Sequence, residues 1–198
     1  LTLGTSYSEE KYRIDSIDLA SPGQPKFLSA TGKLSTLKYS AVFSLTHKFD
    51  RRHTLSSGII ADLSNVDFFN KDVLYRGTTD RVLVNAKESA LLTQAYSQWK
   101  YRANNRITFT TGLHFQHFSL NDKVAIEPRA GVKYAVGKSS SVNFGYGIHN
   151  QIQSYYTYLI QTPTPTGIDY TNKNLDFTRA QHLIAGYENH LTQNIRLK

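Results

Sequence analysis

The feature that most constrains this chain is an alternation of apolar and polar side chains with a period of two, held through segments too long for ordinary strands. Val124, Ile126, Ala130, Val132, Tyr134 and Val136 share one parity, with Pro128 among them, while Glu127, Arg129, Gly131 and Lys133 share the other. After Gly137-Lys138-Ser139-Ser140 the pattern resumes. Val142, Phe144, Tyr146 and Ile148 face one way, and Ser141, Asn143, Gly145, Gly147, His149 and Gln151 face the other. Period two places one set on each face of a sheet, and the Gly/Ser tetrad supplies a turn. Each half runs about a dozen residues, against roughly five or six for a globular strand and about 9–11 for a strand tilted across a bilayer. The stretch from Glu127 to Tyr158 therefore predicts two long antiparallel strands.

The rest of the chain repeats this unit. Further strands are predicted over 1–14, 36–49, 54–66, 89–102, 107–118 and 179–191, and Ile195-Arg-Leu-Lys198 begins another. Connections at 50–53, 103–106, 137–140 and 192–194 read as short turns, and those at 15–35, 67–88 and 152–178 as long loops; only 119–123 breaks the pattern. Short turns at one end and long loops at the other mark an antiparallel outer-membrane barrel. Phe49 and Tyr101 beside short turns, and Tyr155 and Tyr156 beside a long loop, fit interfacial aromatic girdles. The expected lipid-facing set is Leu37, Tyr39, Phe43, Leu45, Leu91, Trp99, Phe109, Leu113, Phe115, Val132, Tyr134, Phe144, Tyr146, Leu183 and Tyr187. The expected lumen-facing set is Glu127, Arg129, Lys133, Asn143 and His149. A soluble sandwich or lipocalin-like barrel also alternates, but its strands are usually shorter and its apolar face points inward.

Composition agrees. A mean hydropathy of −0.42 over 198 residues contains no window near the roughly 18 apolar residues of a spanning helix, whereas a spanning strand is half polar. The formal charge is +8, but the cations are spread over polar strand faces, turns and loops, so nucleic acid is not an expected partner. No Cys is present, which excludes disulfides and thiolate metal sites. The absence of Met and of a charged-then-apolar opening leads to the expectation that the chain does not begin at a native start and carries no signal peptide.

Chemistry-bearing constellations are sparse. His114 and His117 lie on opposite faces of one strand, and nothing in the sequence fixes the distances among His149, His182 and His190, so no metal site is expected. No paired catalytic carboxylates, phosphate loop, Ser elbow or Cys nucleophile is visible, so neither an enzyme nor a cofactor is expected. Glu127 and Arg129, two apart, share a face and read as a pair that ties strands or a lumenal partner. Tyr155, Tyr156 and Tyr158 are candidates to contact a ligand at an extracellular mouth, or else girdle or loop packing.

The run Glu127-Pro128-Arg129-Ala130-Gly131-Val132-Lys133-Tyr134, followed by Ser141-Val142-Asn143-Phe144-Gly145-Tyr146-Gly147-Ile148-His149-Asn150-Gln151, resembles the barrel of TonB-dependent outer-membrane receptors of the Bacteroidetes type. The resemblance covers about residues 125–191; elsewhere only the strand rhythm matches. It implies an all-β, antiparallel transmembrane barrel of about 22 strands, of which this chain supplies about eight and the start of a ninth. Residues 1–198 are then part of a single barrel domain, with the plug domain and the C-terminal strands not present. A complete barrel would need on the order of 500–600 residues. The resemblance further implies energised uptake of a scarce solute in the bacterial outer membrane, with iron chelates, glycans and peptides all open. The implied partners are outer-membrane lipid, the plug domain of the same chain, TonB and a surface lipoprotein. The competing class is a structural or ligand-binding barrel, such as an adhesin or a component of a larger outer-membrane complex, without active transport. Eight strands of so wide a barrel form an open arc with two unpaired edges.

Overall fold

In a computed structural model the described residues are 1–16, 23, 27–73, 80–137, 139–190 and 196–197. Long strands follow one another: β1 (Thr2–Ser16), β2 (Phe27–Lys48), β3 (His53–Val73), β4 (Asp80–Arg102), β5 (Ile107–Phe118), β6 (Lys123–Ala135) and β7 (Ser140–Gln151). A one-turn helix α1 (Tyr155–Tyr158) and a small hairpin, β8 (Thr162–Thr164) with β9 (Gly167–Asp169), precede β10 (Thr178–His190) and β11 (Arg196–Leu197). All but β8 and β9 form one nine-stranded sheet in which sequence neighbours pair, from β1 at one edge to β11 at the other. Every neighbouring pair is antiparallel. The edges do not meet, so the sheet is an open arc, as the strand count implied.

Register carries each parity set across the whole sheet. Phe43 sits opposite Ile59, Ile59 opposite Ala95, Ala95 opposite Phe115 and Phe115 opposite Ile126. Val132 sits opposite Phe144, which faces Ala185, and Tyr146 faces Leu183. This face stays uncovered: Phe43 is 53%, Phe144 56% and Leu183 85% exposed. An exposed apolar band of that extent belongs against lipid rather than water. Near the short turns it is bordered by a row of rings. His53 stacks on Trp99 and Tyr101, and Tyr101 continues to Phe109 at 6.4 Å, the expected place for an interfacial girdle.

Two short turns share one device. The Asp50 carboxylate accepts the N–H groups of Arg52 (2.6 Å) and His53 (2.7 Å), and Asn104 Oδ1 accepts those of Arg106 (2.8 Å) and Ile107 (2.9 Å). Asx side chains close turns this way because they reach their own backbone two and three residues on. These backbone donors hold the Asp50 carboxyl below the usual carboxylate range.

Three expectations are corrected. Residues 27–35, 67–73 and 80–88 are strand rather than loop, so β2, β3 and β4 run 22, 21 and 23 residues. At roughly 3.3 Å per residue, β4 extends about 75 Å, far beyond a bilayer. Charged residues in these stretches are cross-strand partners: Asp67 faces Lys87, Asp72 faces Arg81, and Arg81 grips Asp72 at 3.1 and 2.7 Å. Opposite charges directly across a ladder stabilise it. Third, the strand after the Gly/Ser turn ends at Gln151 and not at Tyr158, because 155–158 is helical. The short turn expected at 192–194 and the outward position expected for Leu191 lie outside the described residues.

Candidate functional site on the polar face

The polar face carries a graded set of rows. Thr46, Ser56, Gln98, Gly112, Arg129 and Gly147 lie side by side in register, and the next row holds Ser44, Gly58, Tyr96, His114 and Glu127. A recess of about 310 Å³ opens here, lined by Tyr96, Gln98, Gly112, His114 and Arg129 among others. The Tyr96 ring lies over Gly58: a Cβ there would sit 2.6 Å from Tyr96 Cε1 and 2.7 Å from the Phe43 carbonyl oxygen. The missing side chain at Gly58 therefore sets the ring's position at the edge of the recess.

Glu127 is the centre of this region, with its side chain 1% exposed. It accepts hydrogen bonds from Gln116 Nε2 (2.6 Å), the Asn150 N–H (2.6 Å) and the Arg129 guanidinium (2.6 Å), and lies 2.9 Å from His114 Nδ1. The reason is local. Ala135 donates its N–H to Arg106 on the β5 side, and Val136 donates to Ser140 on the β7 side. N–H direction alternates along a strand, so the N–H that Pro128 lacks would have pointed at β7. The β6–β7 ladder stops next to it, at Arg129 opposite Gly147. β7 continues to Gln151 against β10 alone. The backbone of Asn150 is then met by side chains: Glu127 accepts its N–H, and Gln116 Nε2 donates to its carbonyl at 2.9 Å. Two side chains close a gap that proline opens, as a buried backbone group requires.

The other expected polar-face residues are spread around this centre. Lys133 pairs with Glu188 at 3.2 Å. Asn143 lies against Gly186, where a Cβ would fall 2.4 Å from its Oδ1. His149 meets His182 edge to face at 4.8 Å. Among the described residues no group of three or more His, Cys, Asp or Glu is arranged to hold a metal.

At the long-loop end the polar face turns apolar and is covered. Val66, Phe68, Val84 and Ala86 form one buried cluster with Leu159; Ala90, Phe118 and Leu120 form another with Tyr158. The segment 152–177 thus folds back onto β3, β4 and β5. Tyr158 is 1% exposed with its ring 5.3 Å from that of Phe118, and its hydroxyl accepts the Gln153 N–H at 3.1 Å. Tyr155 packs against both clusters, and burial pushes its phenol above the ordinary value. Tyr156 alone of the three presents its ring, 47% exposed, in an edge-type contact with the Phe68 ring at 5.3 Å. Polar clips hold the segment down. Asn121 Nδ2 donates to the carbonyls of Lys173 (3.0 Å) and Leu175 (2.8 Å), and Gln161 Oε1 accepts the Asn85 N–H at 3.1 Å.

Sequence reasoning missed Gln116, Asn150 and the covering of the polar face. The covering had a readable signal. At 65–68 the parity inverts, with Val66 and Phe68 on the face that is polar lower down and Asn65 and Asp67 on the other, which marks an inner face covered by protein.

No family model and no curated protein matches the sequence. Among solved structures, the chain is similar to the copper transporter OprC, with a TM-score of 0.64 and 12% identity over 95% of this chain and 33% of that one. It is similar to a variant of the ferric enterobactin receptor PfeA from Pseudomonas aeruginosa (0.66, 12%, 98% and 30%). It is also similar to the siderophore receptor PirA from Pseudomonas aeruginosa (0.59, 16%, 97% and 38%). The chain spans about a third of the length of these structures. At these identities the likeness gives the fold alone: an open arc of an outer-membrane β-barrel wall.

Proposed function

We propose that this chain is part of the barrel wall of a TonB-dependent receptor in the outer membrane of a Gram-negative bacterium, and that it serves the uptake of a scarce solute. The observation that carries the reading is the open nine-stranded arc, apolar and exposed on one face and polar on the other, with a loop packed onto the polar face at the long-loop end. The rest of the barrel continues from both edges, a plug domain of the same chain fills the lumen, and TonB acts on that plug. A surface lipoprotein is a further proposed partner. The wall itself does no chemistry; it encloses, binds and conducts. Assignment to the Bacteroidetes type rests on the Glu127-Pro128-Arg129 run and its following strand.

Within this reading Glu127, Arg129, Lys133, Asn143 and His149 line the lumen and meet the plug. Tyr156 is the tyrosine of the loop that reaches ligand, while Tyr155 and Tyr158 hold the loop in place. Copper and siderophore complexes, the cargo named for the neighbours, join iron chelates, glycans and peptides as substrate classes. The test is accumulation of labelled solutes by cells with and without the gene, in tonB-positive and tonB-negative backgrounds. Accumulation that needs both genes supports the proposal. Surface binding without TonB-dependent accumulation contradicts it and favours an adhesin or structural barrel.

A further inference from the structure

Among the described residues many cations are paired across or along the strands, and five that are not gather at one place. Lys33 meets Glu9, Lys38 meets Asp62, Arg81 meets Asp72, Lys87 meets Asp67, Arg129 meets Glu127 and Lys133 meets Glu188. At the short-turn end, Lys48, Arg51, Arg52, Lys100 and Arg102 surround a recess of about 380 Å³, with Thr54 as the sixth lining residue. Among the described residues none of the five cations makes an ion pair. The nearest acid in sequence is Asp50, whose carboxylate is engaged by the Arg52 and His53 N–H groups.

Register explains the clustering. Lys48 lies opposite Thr54 and Thr54 opposite Lys100, so the three form one row across β2, β3 and β4; Arg102 follows two residues later on the same face. Arg51 and Arg52 sit in the turn beside the row. Alternation puts Lys48, Thr54, Lys100 and Arg102 on the polar face, opposite the His53, Trp99 and Tyr101 rings. Phosphates of the surrounding bilayer therefore lie on the other side of the sheet.

We infer that this recess is an anion site that takes a small free polyanion of phosphate chemistry. Five exposed cations with the single carboxylate of Asp50 beside them carry a net excess of positive charge and repel one another, and an anion of two or more charges relieves that repulsion. Three guanidinium forks and two ammonium groups match phosphoryl oxygens, the forks in bidentate geometry. The recess lies on the lumenal wall at the short-turn end, so its ligand is met on the way through the lumen; this placement rests on the barrel-wall reading above.

The experiment uses the complete receptor in detergent, with inorganic pyrophosphate as the probe and calorimetry at low and physiological ionic strength. The variants are Lys100→Gln with Arg102→Gln, and separately Arg51→Gln in the exposed turn. Lys123→Gln, at the opposite strand end, is the control, and heat-modifiable gel mobility checks folding of each. The expected result is saturable pyrophosphate binding that weakens with salt, falls at least about tenfold in the double variant and about threefold in Arg51→Gln, and is unchanged in Lys123→Gln. Equal binding by wild type and both recess variants, or none by wild type, overturns the site. Displacement by phosphatidylglycerol vesicles and not by pyrophosphate overturns the free-solute assignment, and binding of hexaglutamate alone assigns the recess to an acidic polypeptide segment instead. A receptor that accumulates solute yet ignores pyrophosphate loses only the site; one that binds pyrophosphate yet transports nothing loses only the uptake reading.

Discussion

Replacing Glu127 by Ala removes the group that closes the gap between β6 and β7, and the cost follows from what it leaves behind. The Asn150 N–H loses its 2.6 Å acceptor in a gap where the ladder offers no backbone carbonyl. A buried donor left unsatisfied costs about 1–3 kcal/mol. His114, 12% exposed, loses its partner for about 1 kcal/mol more. Arg129 is 43% exposed and rehydrates, so its loss is screened to less than about 1 kcal/mol. Gln116 keeps the Asn150 carbonyl. The sum is about 2–5 kcal/mol, overlapping the range of about 3–5 for breaking a buried charged pair from one side. Glu127→Gln keeps an acceptor for Asn150 but turns an NH2 toward the Arg129 guanidinium, so it should fall between Ala and wild type. The assay is unfolding of the complete barrel in detergent, read by gel mobility, with amide hydrogen exchange at Asn150. Faster exchange at Asn150 with the 142–146 amides still protected is expected. A Glu127→Ala barrel within about 0.5 kcal/mol of wild type, with Asn150 still protected, would refute the argument that side chains stand in for the ladder.

Tyr158→Ala should undock the 152–177 segment at a cost of about 3–5 kcal/mol, the range for emptying a buried aromatic site, and limited proteolysis should then cut there while the strands resist. Phe144→Lys should cost about 2–4 kcal/mol near the bilayer midplane, whereas Asn143→Lys next to it should cost far less; refolding yields into vesicles compare the two. Asp50 has a depressed carboxyl, so its contribution to the turn is present above the unfolded carboxylate value and lost as pH falls through the folded one; exchange at Arg52 and His53 should rise only in acid, and Asp50→Ala should abolish that pH step. Expressed alone, the 198 residues should not refold to a compact, protease-resistant monomer, because β1 leaves an unpaired edge.

Alternation made the strands and their two faces legible, because a period of two is a local property and register merely propagates it. Tyr101 was readable as a member of the ring row from its place beside a turn. The strands over 67–73 and 80–88 were not legible because Asp67 with Lys87 and Asp72 with Arg81 are favourable only once β3 and β4 are paired. The role of Glu127 was half legible. Its partnership with Arg129 follows from spacing, but Gln116 and Asn150 come from neighbouring strands, and only the ladder break at Pro128 brings them together. Tyr158 and Phe118 are 40 residues apart in sequence and belong to a loop and a strand, so no local pattern announced their contact.

Assignment of one face to lipid and the other to an aqueous lumen is open to a test residue by residue, because the sequence is free of Cys. Single cysteines at positions 142–147, placed in the complete receptor otherwise free of Cys and embedded in vesicles, should alternate. Positions 142, 144 and 146 should be shielded from a charged maleimide and, once carrying a fluorophore, quenched by brominated lipid; positions 143, 145 and 147 should label and escape quenching. Labelling without alternation, or with the two sets exchanged, would contradict the barrel-wall assignment.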